Sequence, residues 1–417
     1  MCRRYLLLIC VPTLATLLIT YYASDEVPPP RDIDSVATST AINVTNIRGA
    51  RATPTLQLVV VISRHGKRGP YTTFPTSPYR AENTTIWPYG PRELTSRGRM
   101  QMYKLGLKIR SLYNGFLDEL YYGEDFVAKS TAFERTIQSA QLFLAGLFPP
   151  RDFQVWNKTL LWQPIPVFHS SVDYQEMANV SQTKWCPKFR VAKEKAIAEF
   201  QQEYRSDIIE FFKLVNPYTR MDQLETLDTT VSISLAIFVM WESFYTMVEE
   251  GLSLPSWAEK FYPQPLTFLA EKLLRVAAIG SDTQIRYLEG LFFKELVDLM
   301  RSKVEGTLIP DRKMFYYCGH DFTLLGFQGI LGLADGQSGL LSTRTGSALI
   351  FELHKDLQTD LFYVQVLHID GTSSDMEPSH VEIPGCNSPC DLRRLLNLTE
   401  KYYNITDWKK ECQIIED

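Results

Sequence analysis

Arg64, His65, Lys67 and Arg68 crowd into five consecutive positions of VVVISRHGKRGP, residues 59–70, directly after an apolar run. An imidazole can act as a nucleophile or move a proton near neutral pH, and guanidinium forks match the paired oxygens of a phosphate or carboxylate. The cluster therefore suits chemistry on a small anion. Lys67 adds a point charge, and Gly66 and Gly69 would let the backbone approach a ligand closely. The plainer reading is a solvated turn after a core strand, with His65 merely satisfied by hydrogen bonds. A second candidate, Gly319, His320 and Asp321, follows the apolar KMFYYC; by itself it could equally be a turn whose aspartate caps a helix opening at Thr323.

Such groups need rigid elements behind them. LQLVVVI reads as a strand covered on both faces, and in open α/β sheets ligands gather at the carboxyl ends of such strands, where the cationic cluster stands. Met102, Leu105, Ile109 and Leu112 fall on one face of a helix, and a second helix is expected over about 134–147, before GLFPPRD stops it. Phe189, Ala192, Ala196, Phe200, Tyr204, Ile208, Phe211 and Val215 then recur at spacings of three and four, which predicts helix almost throughout 187–300. From Lys313 the alternation resumes: a strand ending in GHD, a short helix, and two strands, GSALIFELH and DLFYVQVLHI, joined as a hairpin by KDLQTD. The expected fold is α/β: a mixed, mainly parallel sheet flanked by helices over 54–186 and 301–417, interrupted by an inserted all-helical cap over 187–300.

At 417 residues, with 45% hydrophobic and 22% charged residues, the chain can bury one large core or two linked lobes. A net charge of −5, with lysines and arginines scattered among acids, argues against a nucleic-acid partner. Arg3 and Arg4 precede LLLICVPTLATLLITYYA, so residues 1–23 read as a cleaved signal peptide or an uncleaved N-terminal membrane anchor. Residues 24–53, rich in Pro, Ser, Thr and charge without periodicity, read as a flexible linker. Export is supported by six Asn-x-Ser/Thr sequons, at Asn43, Asn83, Asn157, Asn179, Asn397 and Asn404. Beyond the leader stand Cys186, Cys318, Cys386, Cys390 and Cys412, enough in an oxidising compartment for two bridges and one thiol, although spacing alone does not assign the pairs.

The pattern R-H-G-x-R-x-P resembles the signature of the histidine acid phosphatases. The resemblance extends through LTSRGRMQMYKLG (94–106), KSTAFERTIQSAQLFLAGLFPP (129–150), LWQPIPV (161–167), LPSW (254–257), YYCGHDFTLLG (316–326), PGCNSPC (384–390) and DWKKEC (407–412), and so covers roughly 56–413. It implies that His65 attacks phosphorus to form a phosphohistidine, that Arg64, Arg68, Arg135 and His320 hold the phosphoryl oxygens, and that Asp321 gives a proton to the leaving alkoxide. It also implies disulfides Cys186–Cys412 and Cys386–Cys390, leaving Cys318 as a buried small hydrophobe. Lys67 and Gly69 depart from the family's usual residues, which puts any relative's substrate preference in doubt here. Without the resemblance, Arg135 would be read as a surface residue paired with Glu134 or Glu124.

The implied activity is hydrolysis of phosphate monoesters, small molecules or phosphopeptides, in the secretory pathway, either extracellular or in the lysosomal lumen. A phosphatase narrowed to lysophospholipids or inositol phosphates, and a catalytically silent phosphate-binding or adhesion protein, are the rivals. No cofactor or metal is expected: the six histidines, at 65, 169, 320, 354, 368 and 380, form no metal-binding spacing, and the arginines supply the charge a metal would bring. The resemblance also raises a homodimer. Trp87, Trp162 and Trp257 are expected to make core or lobe contacts rather than substrate platforms.

Overall fold

The computed structural model describes residues 51–170, 186–221, 230–333 and 341–413; the leader, Asn43, Asn179 and the linker before Arg51 lie outside the described residues. The strands are β1 (Leu56–Arg64), β2 (Phe126–Ser130), β3 (Val167–His169), β4 (Met314–Gly319), β5 (Ala348–Lys355), β6 (Phe362–Ile369), β7 (Ser379–His380) and β8 (Cys390–Asp391). They form one mixed sheet in the order β3-β2-β4-β1-β5-β6-β7, with β8 also beside β6. β3, β2, β4 and β1 pair in parallel, whereas β5 runs against β1, β6 against β5, and β7 and β8 against β6. Five strands thus share one direction and three oppose it. In the β5–β6 hairpin, Asp356 Oδ1 accepts the amides of Gln358 (2.9 Å) and Thr359 (2.8 Å), which closes the turn.

The helices are α1 (Ser96–Leu112), α2 (Glu134–Leu147), α3 (Pro187–Glu203), α4 (Arg205–Thr219), α5 (Thr230–Glu249), α6 (Leu266–Ile279), α7 (Asp282–Glu305), α8 (Asp321–Ile330), α9 (Leu392–Tyr403) and α10 (Trp408–Cys412). Thr95 caps α1 by accepting the Gly98 amide at 3.1 Å. Side chains of β1 alternate between two apolar cores. Leu58, Val60 and Ile62 pack with residues of α7, α8 and α9, while Val59 and Val61 pack with Met102, Leu105 and Phe143 from α1 and α2. Burial of each such side chain is worth about 1.5–3 kcal/mol, which is why residues 58–62 of this strand include no polar side chain.

A third core joins Phe200, Phe211, Ile237, Phe244 and Leu269 from α3 to α6, and Phe74 from the loop before α1 enters it. α7 behaves differently. It lies within the 187–300 range expected for the cap, yet Phe292, Phe293 and Leu296 pack with Leu58 and Phe351 of the sheet. Helical periodicity reports an apolar face and not which layer that face covers, so the two kinds of helix look alike in the sequence. Cys186, preceding α3, is bridged to Cys412 with Cα atoms 5.0 Å apart, and Cys386 to Cys390 at 5.3 Å. Cys318 is buried at the end of β4, outside both disulfides.

Order begins earlier than the expected linker end at residue 53. Arg51 donates from Nε to Glu352 at 2.8 Å and from Nη2 to Gln365 at 2.7 Å, and also pairs through Nη2 with Glu352. The composition of the stretch concealed this because the partner lies 301 residues away. Asn83, Asn397 and Asn404 are exposed; Asn157 is half-buried, its Oδ1 accepting from Thr159 N (2.9 Å) and Oγ1 (2.8 Å). Among the described residues, no helix is long and apolar enough to cross a membrane. Trp87 and Trp257 are packed inside, but Trp162 departs from expectation and is 38% exposed.

Candidate active site

Three neighbouring parallel strands end side by side, because Arg64 of β1 stands opposite Gly319 of β4 and Ser130 of β2 opposite Cys318. Chain leaving those ends carries His65, His320 and Thr131 to one place, and α2 opens nearby with Arg135. His65 is fixed through its backbone, its N–H donating to Gly319 O and its carbonyl accepting from Gly346 N, each at 3.0 Å. Its ring is 2% exposed, and Nδ1 lies 2.8 Å from Gly66 O. A carbonyl only accepts, so Nδ1 carries the proton and the neutral ring keeps its lone pair on Nε2. Burial first, then Arg135 and Arg64, push the imidazole well below its usual pKa. The ring is thus an uncharged nucleophile set among cations.

Arg64, Arg68 and Arg135 are all buried. Arg64 donates from Nη1 to Thr343 O (2.8 Å) and meets Asp321 Oδ2 through Nη2 (2.9 Å). Arg68 donates to Gly69 O (2.9 Å) and to Glu242 Oε1 (2.6 Å), and its guanidinium lies 4.2 Å from the centre of the Tyr71 ring. Arg135 donates to Tyr71 Oη at 2.8 Å, not to Glu134 or Glu124. Each of the three keeps a buried Nε–H with no partner. Arg99, Arg110 and Arg190 also keep an unpaired Nε–H, so the feature does not by itself mark a ligand site.

His320 is also buried, with its ring centroid 5.5 Å from that of His65. Thr136 Oγ1 donates to the Thr131 and Phe133 carbonyls, so the Thr131 hydroxyl donates to Thr136, and His320 Nε2 in turn donates to Thr131 Oγ1 at 3.0 Å. That chain of donors leaves the other ring nitrogen, Nδ1, facing Arg135 Nη2 at 3.5 Å. Burial, then Arg135, Arg64 and Arg68, hold this ring well below its usual pKa too. His320 rather than Asp321 is the N-cap of α8, and Asp321, its first residue, accepts the Phe322 amide at 2.9 Å. A Cβ at Gly66 would come within 2.5 Å of Gly98 O, and one at Gly69 within 3.0 Å of Gly90 O, so both positions serve backbone packing.

Beside these groups lies a narrow cleft walled by one face of α5: Phe238, Trp241, Glu242, Tyr245, Thr246 and Glu249. Glu242 is buried and clasps both Arg68 and the Tyr71 amide, the latter at 3.0 Å. Sequence reasoning missed it, along with Tyr71 and Thr131. A signal existed: from 230 to 248, Glu242 is the one charged residue in a long uncharged helix, and a carboxylate so placed needs a buried cation. Lys67 meets Glu249 at 3.1 Å.

The sequence profile of the histidine phosphatase superfamily (branch 2) matches residues 55–368. The chain belongs to that superfamily. Human lysosomal acid phosphatase is 30% identical over 363 residues, covering 86% of this chain and 80% of the relative, and human prostatic acid phosphatase is 32% identical over 368 residues, covering 86% and 88%. Among solved structures, Hafnia alvei phytase in complex with tartrate superposes with a TM-score of 0.61 at 18% identity, covering 84% of this chain and 97% of that one. The phytase of Citrobacter braakii gives 0.60, also at 18%, with coverages of 84% and 97%. These two share the histidine phosphatase fold of the chain.

Proposed function

We propose that the chain is an acid phosphatase that hydrolyses phosphate monoesters through a phosphohistidine on His65, without a metal. The observation that carries this reading is a neutral, buried imidazole with Nε2 unprotonated, set among the charges of three buried arginines, Arg64, Arg68 and Arg135. Nε2 attacks phosphorus as the ester P–O bond breaks, and Asp321 passes its proton to the departing oxygen. Water then attacks the phosphohistidine, the N–P bond breaks, and the Asp321 carboxylate takes a proton from that water. The arginines spread the phosphoryl charge in both steps, which is the principal work in this reaction class. Asp321 stands against Arg64 at 2.9 Å, beside the arginines that take the phosphoryl oxygens, where it can reach the departing oxygen. An acid optimum follows.

The test is p-nitrophenyl phosphate turnover from about pH 4 to about pH 8, with an acid-labile phosphoenzyme trapped by rapid quench. Turnover without any labelled His65 would sink the mechanism. The two disulfides fit the secretory pathway, and we place the protein outside the cell or in the lysosomal lumen. A homodimer is favoured by the sheet margin. Among the described residues β3 pairs with β2 alone, and Trp156, Leu161, Trp162 and Phe168 are exposed beside it. Leu161→Asp should convert the dimer to a monomer in sedimentation; a wild type that sediments as a monomer removes this part of the reading.

A further inference from the structure

Each cation lining the cleft already has its own carboxylate. Arg64 meets Asp321 at 2.9 Å, Arg68 meets Glu242 at 2.6 Å and Lys67 meets Glu249 at 3.1 Å. The rest of the lining, Phe238, Trp241, Tyr245, Thr246 and Thr345, is uncharged. A phosphoryl group seated on Arg64, Arg68 and Arg135 therefore finds no surplus positive charge beyond them. Lys67 is the lining cation outside that arginine set, and it is engaged twice, because Nζ also donates to the Glu249 carbonyl at 3.3 Å. Thr345 Oγ1 donates to Glu249 Oε2 at 3.4 Å, which steadies the acid from the opposite side of the cleft. The balance continues outward: Glu250 accepts from Thr95 Oγ1 at 2.6 Å and feels the charges of Arg97 and Lys67.

We propose that the Lys67–Glu249 pair is a charge filter. It cancels the cation of the cleft lining that stands outside the arginine set, and so favours esters with a single phosphoryl group on an uncharged, largely apolar leaving group. Polyanions such as inositol polyphosphates are rejected. This deepens the phosphatase reading and rests on it for where the phosphoryl group sits. The physical basis is the strength of ionic interactions in a partly dry cleft. An ammonium held by a carboxylate offers an approaching anion little net attraction, whereas the same ammonium alone offers a gain of at least tenfold order in affinity. The aromatic wall of Phe238, Trp241 and Tyr245 suits an apolar leaving group and offers a polyanion neutral donors alone, the Tyr245 hydroxyl and the Trp241 indole N–H.

The experiment uses binding, so that it does not depend on turnover. Calorimetry would give the affinities of wild type, Glu249→Gln and Lys67→Gln for inorganic phosphate and for myo-inositol hexakissulfate. Wild type should bind the hexasulfate no more tightly than phosphate. Glu249→Gln should raise the hexasulfate-to-phosphate affinity ratio on the order of tenfold by releasing Lys67, and Lys67→Gln should lower it by leaving the Glu249 carboxylate unpaired. The filter is overturned by a wild type that prefers the hexasulfate on the order of tenfold, by a Glu249→Gln ratio equal to wild type, or by a Lys67→Gln ratio that is unchanged or raised. Should Glu249→Gln fail to fold, the other two proteins decide. A wild type that binds phosphate with the expected ratio yet hydrolyses no phenyl phosphate overturns the phosphatase reading and leaves the filter standing.

Discussion

Two buried polar clusters sit on the same sheet and treat their hydrogen bonds in opposite ways. Around Glu352 in β5, Arg51, Tyr113 and His354 converge on one carboxylate. Tyr113 Oη donates at 2.7 Å, His354 Nε2 lies 3.3 Å away, and His354 Nδ1 is met by Thr55 at 3.0 Å. Burial alone would raise the acid, but these donors, Arg51 first, hold it down at about 2. At the ends of β1 and β4 the reverse holds: cations crowd together and two imidazoles stay neutral among them. A closed cluster stabilises the fold, and an open one keeps its stabilisation in reserve for a ligand. What sets the site apart from the structural ion pair is a pair of neutral imidazoles held among cations.

Swapping the fates of the two clusters is the strongest way to break that comparison. His65→Ala should lower kcat by more than about a thousandfold while the melting temperature stays within a few degrees, as removal of a nucleophile acting in a preformed site predicts. Glu352→Gln should do the opposite. It leaves Arg51 facing a neutral amide and should cost about 3 kcal/mol in urea unfolding, read as a lower midpoint at unchanged slope, with kcat of the folded protein untouched. A Glu352 variant that loses activity without losing stability would erase the distinction.

How much of each cluster is visible in the sequence depends on how local it is. Arg64, His65 and Arg68 are contiguous, and a charged knot ending an apolar run announces itself; α2 is found at Glu134–Leu147, where its stop signal placed it. The partners of those residues are long-range. Glu242 and Tyr71 reach Arg68 and Arg135 only after the cap helix α5 folds over the sheet, and nothing about the spacing of 68 and 242 foretells it. Glu352 is harder still, since an acid within LIFELHK breaks the apolar pattern and its main partner, Arg51, sits in a stretch that reads as linker. α7 was assigned to the wrong layer because an apolar stripe does not name what it covers. Gly66 and Gly69 were read as making room for a ligand, and the room went to Gly98 and Gly90 instead.

A third test sharpens the role of the one acid within the open cluster. Asp321 is tied to Arg64 but, unlike Glu352, accepts few other bonds and keeps a side chain 19% exposed. If it is the proton donor, Asp321→Asn should slow an alkyl phosphate about a hundredfold and p-nitrophenyl phosphate far less, because a good leaving group departs without protonation. Equal losses on both esters would make Asp321 an electrostatic support for Arg64 and not a donor.

The smallest expected effect separates the clusters by pH. Glu352 is near 2 in the fold and near 4.5 when unfolded, so its contribution is complete above about pH 4.5 and fades as pH falls toward 2. His65 is depressed below 6.5, so below that value the unfolded chain takes up a proton that the folded chain refuses, and stability falls as pH drops. His65→Ala removes that penalty. Between about pH 7.5 and pH 5.5, in buffer free of phosphate, wild type should lose about 1 kcal/mol more than the variant, while Glu352→Gln and wild type run parallel over the same range. Parallel curves for wild type and His65→Ala would mean that the folded ring accepts its proton as readily as the unfolded one. Its Nε2 would then be blocked in acid, where the ester is to be cleaved, and the open cluster would be no more than a second ion-pair network.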